Sequence, residues 1–143
     1  MDKKKFEIIK NLIVDLGGFE VIKSTNETPQ KFISFKQIVK KTTLNIYLFY
    51  EISNDEAFFR IFTTYYTAYE NPSADFHMII SKLNLKSMWG ALLVTKEDDN
   101  YYYVSYKSNI LIKTKDLIDN KKQFNLFLSA SMAMINMHYS ELH

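Results

Sequence analysis

The chain has no cysteine, one tryptophan, two prolines and three glycines, and its 18 basic residues include a single arginine, Arg60. Without cysteine there is no disulfide framework, no thiolate nucleophile and no zinc knuckle, so folding does not depend on the redox compartment. Two of the glycines stand side by side at Gly17-Gly18, which leaves no glycine-rich loop to cradle phosphate and no visible site for nucleotide hydrolysis. One arginine is too few for repeated bidentate contacts with phosphate or guanine. A formal net charge of +2 projects only a weak field, so composition argues against nucleic acid as a partner. No apolar run is long enough to cross a bilayer, and acids and lysines interrupt MDKKKFEIIKNLIVDLGG where a signal-peptide core would lie. The expectation is therefore a cytoplasmic protein without membrane insertion.

What is present is an ordinary soluble composition, 47% hydrophobic and 24% charged over 143 residues. A chain of this length forms one domain, here residues 1–143, and buries roughly two thirds of the surface exposed when unfolded. Phe6, Ile9, Ile13 and Leu16, widened by Ile8 and Leu12, recur at helical spacing and predict a first amphipathic helix, with Asp2 as its cap and Gly17-Gly18 as its stop. Phe19 to Thr25 reads as a short strand. After a turn from Asn26 to Pro29, Lys31 to Lys40 reads as a second strand, although neither alternates cleanly.

Thr43 to Ile52 does alternate, with Leu44, Ile46, Leu48, Tyr50 and Ile52 on one face and Asn45, Tyr47, Phe49 and Glu51 on the other. Past the polar turn Ser53 to Glu56, the β-branched and aromatic run Ala57 to Tyr69 predicts a long returning strand. Asn71-Pro72 predicts the start of a second helix, with Phe76, Ile79, Ile80 and Leu83 on its apolar face. Ala91 to Lys96 and Tyr101 to Ile112 predict a hairpin about the acidic turn Glu97 to Asn100. Asn120 and Gln123 form a capping box ahead of a last helix with Phe124, Phe127, Leu128, Ser131 and Ile135 at helical spacing. The order is α-β-β-β(-β)-α-β-β-α. This is an α+β fold, an antiparallel sheet with helices packed on it, and nothing alternates as parallel βαβ units would.

Chemistry-bearing patterns are scarce. His77, His138 and His143 are widely separated, so no metal site is expected; His77 alone offers a general base, and it has no nearby cysteine or paired acid. Glu97 to Asn100 lacks the spaced acids, central glycine and distal glutamate of a calcium loop. No cofactor and no enzymatic activity are expected. The lysines Lys31, Lys36, Lys40 and Lys41, interleaved with Phe32, Phe35 and Ile38, read as a solvated strand face. The conspicuous feature is an apolar and aromatic excess on both faces of the predicted sheet. Tyr47 and Phe49 oppose the Leu44 set, and Phe58, Arg60 and Phe62 oppose Phe59, Ile61 and Tyr65. One helix layer covers only one face, so the other requires a further element, a second copy or a partner.

From about residue 76 to 137 the sequence resembles the type III secretion chaperone-like superfamily, which includes the Tir-chaperone type and the YbjN-like proteins. The resemblance is carried by Leu83-Asn84 at a helix end, Gly90-Ala91-Leu92-Leu93 at a strand start, the acidic turn at Asp98-Asp99, Ile110-Leu111-Ile112, Leu117, and a closing helix with Phe124 and Leu128. It implies a bacterial, non-enzymatic homodimer that holds an extended segment of a protein or peptide client by apolar patches and strand addition. Mapped by element, it implies client contacts at Ile33, Phe35, Tyr47, Phe49, Phe58 and Phe62, and dimer contacts at Ile79, Ile80, Leu83 and Trp89. Secretion chaperones of this type are typically acidic, whereas this chain has a pI near 8.6. A YbjN-like regulatory adaptor without a secreted client is the alternative within the family. A helix-grip carrier of lipid or small ligand, with a curved sheet wrapped around an apolar cavity, is the alternative outside it.

Overall fold

The computed structural model describes residues 3–15, 21–25, 31–63, 67–70, 72–73, 75–96 and 101–142. The predicted turns at Gly17-Gly18, Asn26 to Pro29 and Glu97 to Asn100, the cap at Asp2, and Asn71 lie outside them. The elements run α1 (Lys3–Asp15), β1 (Val21–Thr25), β2 (Phe32–Val39), β3 (Thr42–Ile52), β4 (Glu56–Thr63), β5 (Thr67–Glu70), α2 (Phe76–Lys86), β6 (Ala91–Lys96), β7 (Tyr101–Lys113), α3 (Thr114–Asp119) and α4 (Lys122–Leu142). The α+β class and the antiparallel sheet are as the sequence predicts, with three differences. The run expected as one long strand after Ser53 contains two, β4 and β5. The second helix begins at Phe76 rather than at Pro72, with Asp75 in the N-cap position. A short α3, held by Thr114 N–H donating to the carbonyl of Asp55 (3.0 Å) and Thr114 Oγ1 donating to the carbonyl of Ser53 (2.9 Å), precedes the last helix.

Every strand pairing is antiparallel, along the path β1-β2-β3-β4-β7. β7 is 13 residues long. Tyr102 to Lys107, in its first half, pair with β6 on one edge, while β5 and β4 follow each other along the opposite edge. β2 and β3 are joined by a two-residue turn in which Lys40 and Lys41 both have positive φ, 47° and 67°, as the twist of a tight hairpin demands. Gly90 opens β6 at φ +74°, where a Cβ would lie 2.6 Å from the carbonyl oxygen of Lys107 and 2.5 Å from Tyr106 Oη. Only glycine lets the chain approach β7 so closely.

The registers sort the side chains. Phe35 lies opposite Ile46, Leu48 opposite Ile61 and Tyr50 opposite Phe59, and Phe59 opposite Ile110. These residues form the inner face, and α1, α2 and α4 lie on it. α1 turns Ile9, Leu12 and Ile13 inward and sets Phe6 6.0 Å from the Tyr50 ring. α4 packs Phe124 edge-on to Phe59 at 4.7 Å, and α2 brings Phe76 to Tyr69 and Tyr102 at 4.9 and 6.2 Å. Apolar burial on this face is the main stabilising term. Among the described residues no helix is long and apolar enough to cross a membrane.

Candidate functional site

The opposite, outer face of the sheet carries no helix among the described residues, yet it is rich in large rings. Alternation along β2, β3 and β4 puts Phe32, Tyr47, Phe49, Phe58, Arg60 and Phe62 on it, all half-buried. Cross-strand register assembles them in rows: Tyr47 opposite Phe62, Phe49 opposite Arg60 and Glu51 opposite Phe58, then Phe62 opposite Lys107, Arg60 opposite Asn109 and Phe58 opposite Leu111. Phe32 sits 5.8 Å from Tyr47 and 5.9 Å from Phe49, and Tyr47 and Phe49 stack at 6.0 Å with 18° between their planes. These contacts shield the rings from water only in part. Directly opposed aromatic pairs hold such a surface in register. Arg60 Nε donates to Asn109 Oδ1 at 2.9 Å, and its guanidinium lies 5.6 Å from the centre of the Phe58 ring. A shallow depression of about 210 Å³ is bounded by Glu51, Ser53, Glu56, Phe58 and Leu111. The arrangement offers apolar contact area with one fixed cation in its midst.

Four of the six residues expected to face a client, Tyr47, Phe49, Phe58 and Phe62, stand together on this face. The other two do not. Ile33 and Phe35 are on the inner face and 0% exposed, a correction that follows from their register with Leu48 and Ile46. Phe32, one position away, holds the outward place. The expected dimer contacts divide similarly. Ile80 and Leu83 are buried in the core of their own chain, so they are corrected to core residues. Trp89 is half-buried, its ring 5.9 Å from Phe127 and its carbonyl accepting from Tyr106 Oη at 2.5 Å. Ile79 is 47% exposed and shares the surface of α2 and the segment after it with Met78, Leu85 and Met88, the last two each 87% exposed.

His138, rather than His77, is the histidine in an unusual setting. His77 is exposed on α2 with its ring near Phe76 and Tyr102. His138 is 0% exposed, and its Nε2 is 2.6 Å from Ser87 Oγ. Ser87 Oγ donates its one proton to the carbonyl of Leu83 at 2.9 Å, so it accepts from His138 Nε2–H, and Nδ1 is left buried without a partner. The histidine pKa is lowered, chiefly by burial, against the opposing pull of the Glu141 carboxylate and the Leu83 carbonyl. With its proton committed to a carbonyl, Ser87 is not activated as a nucleophile. The contact works as a clasp between α4 and the end of α2. The helical spacing of Phe124, Phe127, Leu128, Ser131 and Ile135 continues to 138 and signals this burial. Among the described residues no group of three or more His, Asp or Glu side chains is placed to hold a metal ion.

No protein-family model matches the chain, and no curated protein matches it. Among solved structures it is similar to the crystal structure of YbjN from E. coli, described as a candidate transcription regulator. That similarity covers 95% of this chain and 89% of the other, with 15% sequence identity and a TM-score of 0.55. At this identity the likeness establishes a YbjN-like fold.

Proposed function

From a YbjN-like fold with one sheet face left open, we propose that this chain is a non-enzymatic protein-binding module that holds an extended segment of a client protein across its outer sheet face. The observation that carries this reading is the cluster of Phe32, Tyr47 and Phe49, continued by Phe58 and Phe62, on the face opposite the helices. Half-buried rings on a sheet surface are well suited to be covered by a partner. The module is cytoplasmic and acts as an adaptor without a secreted client, because a pI near 8.6 departs from the acidic character of secretion chaperones. It pairs with a second copy through Met78, Ile79, Leu85 and Met88, an exposed apolar strip that continues the surface of α2. A small-ligand carrier is the weaker reading. Among the described residues, a cavity between α2 and α4 lined by Tyr69, Phe76, Ile79 and Leu142 has about 200 Å³, below the roughly 300–1,000 Å³ of ligand pockets.

The test is site-specific photocrosslinking in the native cytosol, with a photoreactive phenylalanine analogue at Tyr47 on the outer face and at Lys115 on α3 as control. One polypeptide crosslinked from position 47, absent from position 115 and lost in Phe62→Asp, supports the reading. Equal labelling from both positions, or none from 47, overturns it. Sedimentation velocity of Met88→Asp against the parent checks the pairing: a dimer in both, or a monomer in both, refutes the α2 strip.

A further inference from the structure

We propose that the outer face selects an extended segment in which an acidic residue is flanked, two positions away on each side, by large apolar residues. This deepens the reading above and rests on it. Arg60 is the only guanidinium in the chain, and it stands in the middle of the aromatic surface. It is fixed at two points, by Nε–H to Asn109 Oδ1 and by its position over the Phe58 ring, and no described residue accepts from its terminal amino groups. Among the described residues it makes no ion pair. A preorganised, unpaired guanidinium bordered by rings is a carboxylate receptor, because its planar donors match two carboxylate oxygens and the rings hold water back.

The spacing specifies the neighbours. Phe58 and Phe62 flank Arg60 two residues away along β4, and an extended chain repeats its side chains on one face every ~6.6–6.8 Å. A segment lying along β4 with its acid at Arg60, opposite Phe49, therefore sets one apolar side chain by Phe62 and Tyr47 and the other by Phe58 and Leu111, where the depression lies. Glu51 and Glu56 rim that depression and repel a second acid there. No stretch of these 143 residues supplies the occupant. None of the chain's acids has a large apolar residue two positions away on both sides.

The experiment pans a random dodecapeptide display library against the full chain, Arg60→Gln and Phe49→Asp. Gln can keep the hydrogen bond to Asn109, so the first variant removes charge with little change in shape. The best wild-type binder is then synthesised with its acid as Glu and as Gln for anisotropy titration. The expected result is enrichment of the apolar-x-acid-x-apolar pattern on wild type and none on Phe49→Asp. The Gln peptide should bind wild type about tenfold or more weakly, and the difference should shrink to about twofold or less on Arg60→Gln. Apolar peptides enriched equally on wild type and Arg60→Gln, whatever their acids, overturn the acidic selection while leaving outer-face docking intact. No enrichment on wild type overturns both. Displacement of the peptide by oligothymidylate at about 0.15 M salt, or self-association lost in Phe49→Asp, overturns the proposal in favour of single-stranded nucleic acid or of a second copy.

Discussion

Truncating Phe35 and Phe49 to Ala, on neighbouring strands but opposite faces, should have unequal costs. Phe35 is 0% exposed and lies beneath the helix layer, so removing its ring leaves a cavity and costs about 3–5 kcal/mol. Ile33→Ala, on the same face, should cost about 2–5 kcal/mol. Phe49 is half-buried and packs on Phe32 and Tyr47 at 5.9 and 6.0 Å. Losing two aromatic contacts at ~0.2–1 kcal/mol each, with a small loss of strand propensity, gives about 1–1.5 kcal/mol. With a urea slope of about 2 kcal/mol/M, the midpoint should fall by ~1.5–2.5 M for Phe35→Ala and ~0.5–0.8 M for Phe49→Ala. Far-UV circular dichroism follows the whole fold. Fluorescence of Trp89, the one tryptophan, follows its packing on Phe127, and coincident transitions license the two-state treatment. Equal losses for the two variants would refute the reasoning, because they would mean that something already covers the outer face and leaves no room for a client.

Three further predictions concern the inner layer and one turn. Ser108 Oγ and Ser131 Oγ share a buried hydrogen bond of 2.8 Å between β7 and α4. Ser131→Ala should therefore cost about 1–3 kcal/mol by leaving Ser108 one buried partner short, and adding Ser108→Ala should recover part of it; additive losses in chemical denaturation would contradict this. Lys41→Gly relieves a positive φ of 67° without touching the bond from Lys40 Nζ to the carbonyl of Ser140. It should stabilise by about 0.5–1 kcal/mol in thermal unfolding, and a lower Tm would count against the turn geometry. His138 has a folded pKa below its ordinary 6.5, so the unfolded chain binds its proton first as pH falls. Its contribution is fully present above about pH 6.5 and is lost between there and the folded pKa. Urea midpoints of wild type should drop below pH 6.5 more steeply than those of His138→Gln, and parallel profiles would refute the role.

Local periodicity made most of the architecture legible. The stripe Phe6, Ile9, Leu12 and Ile13 gave α1 because the buried face of a helix repeats about every 3.6 residues. The strict alternation from Leu44 to Ile52 gave β3 and the side each of its residues takes. β2 was not legible in the same way. Phe32, Ile33 and Phe35 put large apolar groups on both faces of one strand, so their parity is fixed only by pairing with β3, where Phe35 meets Ile46. The start of α2 differs from the local signal because a proline after asparagine satisfies the local rules for a helix start, whereas the helix begins at Phe76, whose ring is buried against Tyr69 and Tyr102. The amino-acid order by itself determined the succession of elements and the surplus of rings. The setting of Arg60 was decided only by tertiary structure. Its hydrogen-bond partner Asn109 lies 49 residues away, and local propensities, which act over a few residues, cannot specify the β4 and β7 register that brings the two together.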